Sequence, residues 1–184
     1  MFFTIRPAMP ENQPELEELI SLSARELSRE EYTAGEIEAA VEHVFGVDSE
    51  LVADGTYFVV EREGEIVACG GWSRRRTLFG GDRYEKRESG LLDPKHEAAK
   101  IRAFFVHPAH ARQGIGRALL AHCEEQAREH GFTSAEMMAT LPGVKLYEAL
   151  GYAGGQMETH TMPDGRTVRF LPMQKRLKPA CNLS

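Results

Sequence analysis

The chain has 184 residues, of which 42% are hydrophobic and 27% charged, with a formal net charge of −6. This composition supports a folded core and excludes wholesale disorder, and the acidic balance argues against a nucleic-acid partner. No apolar run approaches the roughly 20 residues that span a bilayer, and Met1 to Pro10 lacks the basic-then-apolar pattern of a secretory leader, so a cytoplasmic protein with no membrane partner is expected.

Phe2 to Arg6 reads as a first strand, ended by Pro7 and Pro10. Pro14 opens a helix with Leu16, Leu19, Ile20 and Leu27 on one stripe. Thr33 begins a second helix, with Glu36 at capping-box spacing and Ile37, Ala40, Val41 and Val44 on its apolar face. Thr56 to Glu61 and Glu65 to Trp72 form a hairpin turning at Glu63-Gly64. Thr77 to Pro94 has mixed charge, three glycines and no period, and reads as a long loop of the kind that often carries function. Ile101 to Val106 is a buried central strand, broken by Pro108. A helix starts at Gly114, with Ile115, Ala118, Leu119, His122, Cys123 and Ala127 inward, and stops at Gly131. Ala135 to Ala139 is a strand, and Val144 to Leu150 a short helix closed by Gly151. Gln156 to Met162 and Arg166 to Met173 make a final hairpin around Pro163-Asp164-Gly165, with Pro172 marking an edge or bulge. With no repeat or linker, residues 1–178 are read as one α/β domain and 179–184 as a short tail.

The segment that carries chemistry is Ile101 to Arg117, IRAFFVHPAHARQGIGR. A strand leads through a short loop into a helix whose first turn contains Gly114-Ile115-Gly116. Glycines admit close approach of a ligand to the backbone. The first N–H groups of a helix lack intrahelical partners and carry partial positive charge. Together they suit a phosphate or pyrophosphate, with Arg112 and Arg117 adding permanent charge. A dinucleotide fingerprint would need a third glycine at Leu119, and a Walker loop would need Gly-Lys-Ser/Thr; neither is present.

A second block, Leu141 to Tyr152 (LPGVKLYEALGY), follows about thirty residues later. Strand–VHP–x5–GIGRALL followed by LYEALGY resembles motifs A and B of the GNAT N-acetyltransferases, and the order of elements over nearly the whole chain fits that family. The resemblance implies a mixed, mostly antiparallel sheet flanked by helices. It implies acetyl-CoA as co-substrate, a small-molecule or peptide amine as acceptor, no metal, and scope for a homodimer. The backbone of Phe104 and Val106 would meet the pantetheine arm, with Phe105 between them also at the cofactor and the Val106 N–H as oxyanion partner. The backbone of Arg112, Gln113, Gly114, Ile115, Gly116 and Arg117 would hold the pyrophosphate. Tyr147 would protonate the departing thiolate. The chain also departs from the pattern. Ala111 stands where Gln or Arg is usual, Thr140 where an Asn often contacts the CoA arm, and Lys100 where some relatives carry a catalytic Glu.

That leaves the general base open among Glu88, His96, Glu97 and His107, each of which also reads as an ordinary surface residue. His107-x-x-His110 lacks further metal ligands. Cys69, Cys123 and Cys181 form neither a disulfide framework nor a zinc spacing, and Cys123 reads as core. Arg74-Arg75-Arg76 reads as a solvated run. Residues 1 to 50 hold eleven Glu and one Asp against three Arg; that acidity is either a wet helix face or a field for cationic amines. The rival to an enzyme is a non-catalytic acyl-CoA-binding sensor, which would keep the glycine turn but have no need of Tyr147.

Overall fold

The structure is a computed structural model that describes residues 2–86, 88 and 90–178; Cys181 and the expected tail lie outside them. The amino-terminal part comprises β1 (Thr4–Pro7), α1 (Gln13–Leu27), α2 (Ala34–His43) and α3 (Ser49–Ala53). A meander follows: β2 (Tyr57–Arg62), β3 (Glu65–Ser73) and β4 (Ala99–Val106). The carboxy-terminal part comprises α4 (Ile115–Glu129), β5 (Ser134–Ala139), α5 (Val144–Ala149), β6 (Ala153–Gly154), β7 (Glu158–Thr161) and β8 (Thr167–Arg176). The sheet runs β1-β2-β3-β4-β5-β8-β6, with β7 also on β8. Among the described residues only β4 and β5 pair in parallel, so the sheet is mixed and mostly antiparallel, as expected.

Local chemistry explains most boundaries. Thr33 and Glu36 form the reciprocal capping box of α2, with N···O distances of 3.2 and 3.0 Å. Glu63 and Gly64 both have positive φ, 55° and 88°, as a tight two-residue hairpin turn requires. The sheet buries both faces. Leu16, Ile20, Val41, Val59 and Phe170 belong to the cluster under α1 and α2. Trp72, Ile101, Leu119, Cys123 and Tyr147 belong to the cluster under α4 and α5.

Three elements differ from the sequence reading. The five-residue α3 has an Asp cap: the Asp48 carboxylate accepts from Glu50 N and Leu51 N at 3.1 and 3.3 Å. The two-residue β6 was unforeseen. β8 is an interior strand rather than an edge, lying between β5 and β6. Pro172 is tolerated there because its flank falls between β7, which ends its pairing at Phe170, and β6, which begins at Met173. Its carbonyl still accepts from Gly155 N at 2.8 Å.

The long loop is docked rather than slack. Gly81 N donates to Val44 O at 2.8 Å and Asp82 N to Val47 O at 3.0 Å. The Arg83 guanidinium donates to Val41 O and Phe45 O at 3.2 and 3.1 Å. A cation thus satisfies carbonyls at the end of α2, where the helix dipole favours it. No described helix is long and apolar enough to cross a membrane.

Candidate active site

β4 and β5 pair only at Ala99↔Ala135 and Lys100↔Glu136, and beyond that point they part. The cause lies in β4. Ala103 adopts φ 54°, and the register against β3 shifts between Cys69 and Gly71, so one residue, Gly70, faces two on β4. Such a bulge bends its strand and sharpens the twist. Left-handed backbone at a residue other than glycine must be held by its surroundings. Here the Tyr57 hydroxyl donates to Ala103 O at 3.2 Å. The Phe104 ring lies on Gly70, where a Cβ would come within 2.6 Å of it.

The parted strands open a cleft of about 530 Å³ that passes through the sheet. Ile101, Phe104, Met137 and Tyr147 line it from the α4/α5 face. Phe45, Phe79, Phe105, Met138 and Phe170 line it from the α1/α2 face. Thr140 and the loop glycines Gly80 and Gly81 complete the wall. Among the described residues, no carboxylate or imidazole lines it.

Main-chain direction follows from one bond. His107 N donates to Val67 O on β3 at 2.8 Å. In an antiparallel ladder successive residues point their polar groups to opposite sides, so the N–H and C=O of Val106 face the gap. Phe105, paired with Cys69, turns its backbone to β3 and contributes only its ring to the cleft.

The glycine turn stands at the same place. Gly114 caps α4 at φ 84° and Arg112 has φ 61°. Gly116 serves packing: a Cβ there would lie 3.2 Å from Leu146 Cδ2 and 3.9 Å from Val106 Cγ2. The start of α4 therefore touches both the gap-facing strand and the helix that carries Tyr147. The exposed Arg112 and Arg117 enter no ion pair among the described residues. The Gln113 side chain accepts from Arg62 Nη1 at 2.8 Å and donates to Ala109 O at 3.1 Å, bracing the turn and leaving its backbone N–H at the start of α4. Ile115 is core. Arg62 was not foreseen, since nothing local joins it to the turn.

Tyr147 is buried on α5. Its ring lies over Gly143, where a Cβ would meet Cε2 at 2.6 Å, and it packs edge-on against Tyr152 at 6.1 Å. Burial pushes its phenol above the ordinary value.

The base candidates from sequence lie elsewhere. His96 bonds Asp93 at 2.8 Å, Glu97 pairs with Arg76 at 2.5 Å, and His107 accepts from Ala109 N at 3.2 Å. The main chain of Glu88 bonds the Thr77 hydroxyl. Lys100, at the narrow end of the gap, is ion-paired with Glu136. Glu42, His43 and Asp164 form a surface cluster, already bridged by the Arg166 guanidinium.

The sequence model of the acetyltransferase (GNAT) family matches residues 18–152. No curated sequence matches the chain. Among solved structures, the GCN5-related N-acetyltransferase of Rhodopseudomonas palustris superposes with a TM-score of 0.71 at 19% identity, covering 96% of this chain and 97% of that one. YncA of Salmonella typhimurium, with its cofactor acetyl-CoA, gives 0.64 at 19% identity, covering 100% and 99%. The PaiA N-acetyltransferase of Thermoplasma acidophilum, in complex with coenzyme A, gives 0.63 at 12% identity, covering 96% and 99%. At these identities the superpositions speak for the fold, and the family match, which spans most of the chain, assigns the membership. With a parted β4–β5 pair, a glycine-capped α4 beside it and Tyr147 in the cleft between, the chain belongs to the GNAT acetyltransferase family.

Proposed function

We propose that the protein transfers an acetyl group from acetyl-CoA to a primary amine by direct attack, with Tyr147 as general acid. The observation that carries this is that one cleft is lined both by the β4 residues next to Val106 and by Tyr147, with walls drawn from the cores on both faces of the sheet. The residues present fit the co-substrate. The first-turn N–H groups of α4, with Arg112 and Arg117, suit the pyrophosphate, and the Val106 main chain suits the amide-bearing arm.

The amine nitrogen uses its lone pair to form the C–N bond at the thioester carbonyl. The Val106 N–H donates to the oxygen as it gains charge. The C–S bond then breaks, and the Tyr147 phenol gives its proton to the sulfur. The proton shed by the nitrogen leaves through water, because no carboxylate or imidazole among the described residues lines the cleft. Solvent returns a proton to Tyr147.

Binding should be visible as stabilisation. Acetyl-CoA at about 100 times its Kd should add about 2.7 kcal/mol. A melting curve unmoved by millimolar acetyl-CoA, with no CoA release across an amine panel, would sink the proposal. Stabilisation without CoA release from any amine would support the sensor instead.

The pH profile tests the proton inventory. The acid form of Tyr147 is the active one, present below its pKa, and burial raises that pKa. An ordinary phenol would fail near pH ~10; this one should not. With chemistry limiting, kcat should show no alkaline loss up to pH ~10. Meanwhile kcat/KM should rise with pH until the free amine is deprotonated. An alkaline limb below pH ~9 would remove Tyr147 from the acid role.

A further inference from the structure

Resting on the acetyltransferase reading above, we infer that the acceptor is a small primary amine borne on an aromatic or bulky apolar body, with no second charge. The α1/α2 half of the cleft is a box of phenylalanines. Phe45 packs on Phe105 at 5.2 Å and on Phe170 at 6.5 Å, and Phe79 packs on Phe170 at 5.2 Å. Met138 adds an adaptable apolar wall. Rings in these tilted and edge-on arrangements offer faces and edges to a further ring.

Backbone contacts fix the box. A Cβ on Gly80 would lie 2.4 Å from Tyr84, and one on Gly81 2.6 Å from Gly46 O. Glycine therefore lets the loop press against the end of α2 and hold Phe79 in place. Tyr84 lies tilted against the Phe79 ring at 4.6 Å, and His160 meets it edge-on at 5.0 Å.

Charge recognition is missing where a polyamine or an amino acid would need it. Among the described residues, the one charged residue lining the cleft is Arg102, which is buried, ion-paired with Asp48 and donating to Gly80 O. Part of the acidity of the first fifty residues is taken up by arginines: Glu17 binds Arg83, Glu36 binds Arg169, Glu38 binds Arg25 and Glu42 binds Arg166. A second ammonium entering this cleft would lose its water without gaining a carboxylate among the described residues, and a carboxylate would have to compete with Asp48 for Arg102. An aromatic body loses nothing by burial there, and the same desolvation disfavours the ammonium form of its amine, which suits a cleft without a base.

The test measures kcat/KM for 2-phenylethylamine and 1,4-diaminobutane, with acetyl-CoA binding followed separately by thermal shift. The aryl amine should lead by about 10–200-fold, the range an apolar pocket can supply. Phe79→Ala, on a half-buried loop residue, should lower kcat/KM for 2-phenylethylamine by about tenfold or more, leaving acetyl-CoA binding unchanged. Preference for the diamine, no turnover of 2-phenylethylamine, or equal losses for both amines in the variant would overturn the inference while acetyl-CoA binding upholds the reading beneath it. Loss of acetyl-CoA binding in the unaltered protein would instead overturn that reading, and this inference with it.

Discussion

Replacing Tyr147 by Phe is expected to lower turnover by about 10²–10⁴-fold, the usual worth of a positioned general acid. The phenyl ring keeps its seat on Gly143 and its edge-on contact with Tyr152, so the packing of α5 against the sheet should survive. Acetyl-CoA affinity should change little, because the hydroxyl is asked to act only as negative charge grows on sulfur. An interaction made only in the transition state lowers kcat and kcat/KM together and leaves binding alone. A structural role predicts the opposite pattern: a lower Tm with residual activity in proportion to folded protein. Single-turnover rates and melting curves on the same preparation separate the two. Unchanged single-turnover chemistry would hand the proton to water.

The parts of this site that could be read from sequence are those the chain builds locally. Gly114 as a left-handed cap, Gly116 at the second position of α4, and the LYEALGY block are each made within a few residues. A local signal for α3 was also present, since Asp48-Ser49-Glu50 is a helix-start pattern; a five-residue helix is too short to show a period. What stayed hidden is made by distant partners. Tyr57 steadies Ala103 from 46 positions away. Arg83 reaches Glu17 across 66. The buried Glu124 on α4 is answered by Lys175 on β8 at 2.8 and 2.9 Å. The bulge that parts β4 from β5 requires knowing that Gly70 lies opposite, and pairing register is not written in either strand alone. The acidic amino-terminal segment finds its partners at the same kind of distance, because the arginines that answer Glu17, Glu36 and Glu42 come from the loop and the final hairpin.

The pair Asp48–Arg102 shows how much such a distant contact governs. Both side chains are almost wholly buried. Asp48 also caps α3, and Arg102 also donates to Gly80 O beside the phenylalanine box. One ion pair thus ties together α3, the central strand and the loop that walls the acceptor side. Asp48→Asn keeps the shape and an acceptor for the cap but leaves the guanidinium buried without its counter-charge. Breaking a buried pair in this way typically costs about 3–5 kcal/mol, which for a chain of this size lowers Tm by about 6–20 °C. Arg102→Met should cost a comparable amount by stranding the carboxylate. The double variant Asp48→Asn with Arg102→Met should recover a large part of either loss, because the cap acceptor is kept and two buried charges removed together leave neither without its counter-charge. Acetyl-CoA should still bind to the folded fraction of each variant, since Arg112 and Arg117 are untouched. Acceptor turnover should fall with the loss of the Gly80 tether. Single variants that melt with the parent protein, or a double variant whose losses simply add, would show that the pair neither holds the loop nor couples it to the strand.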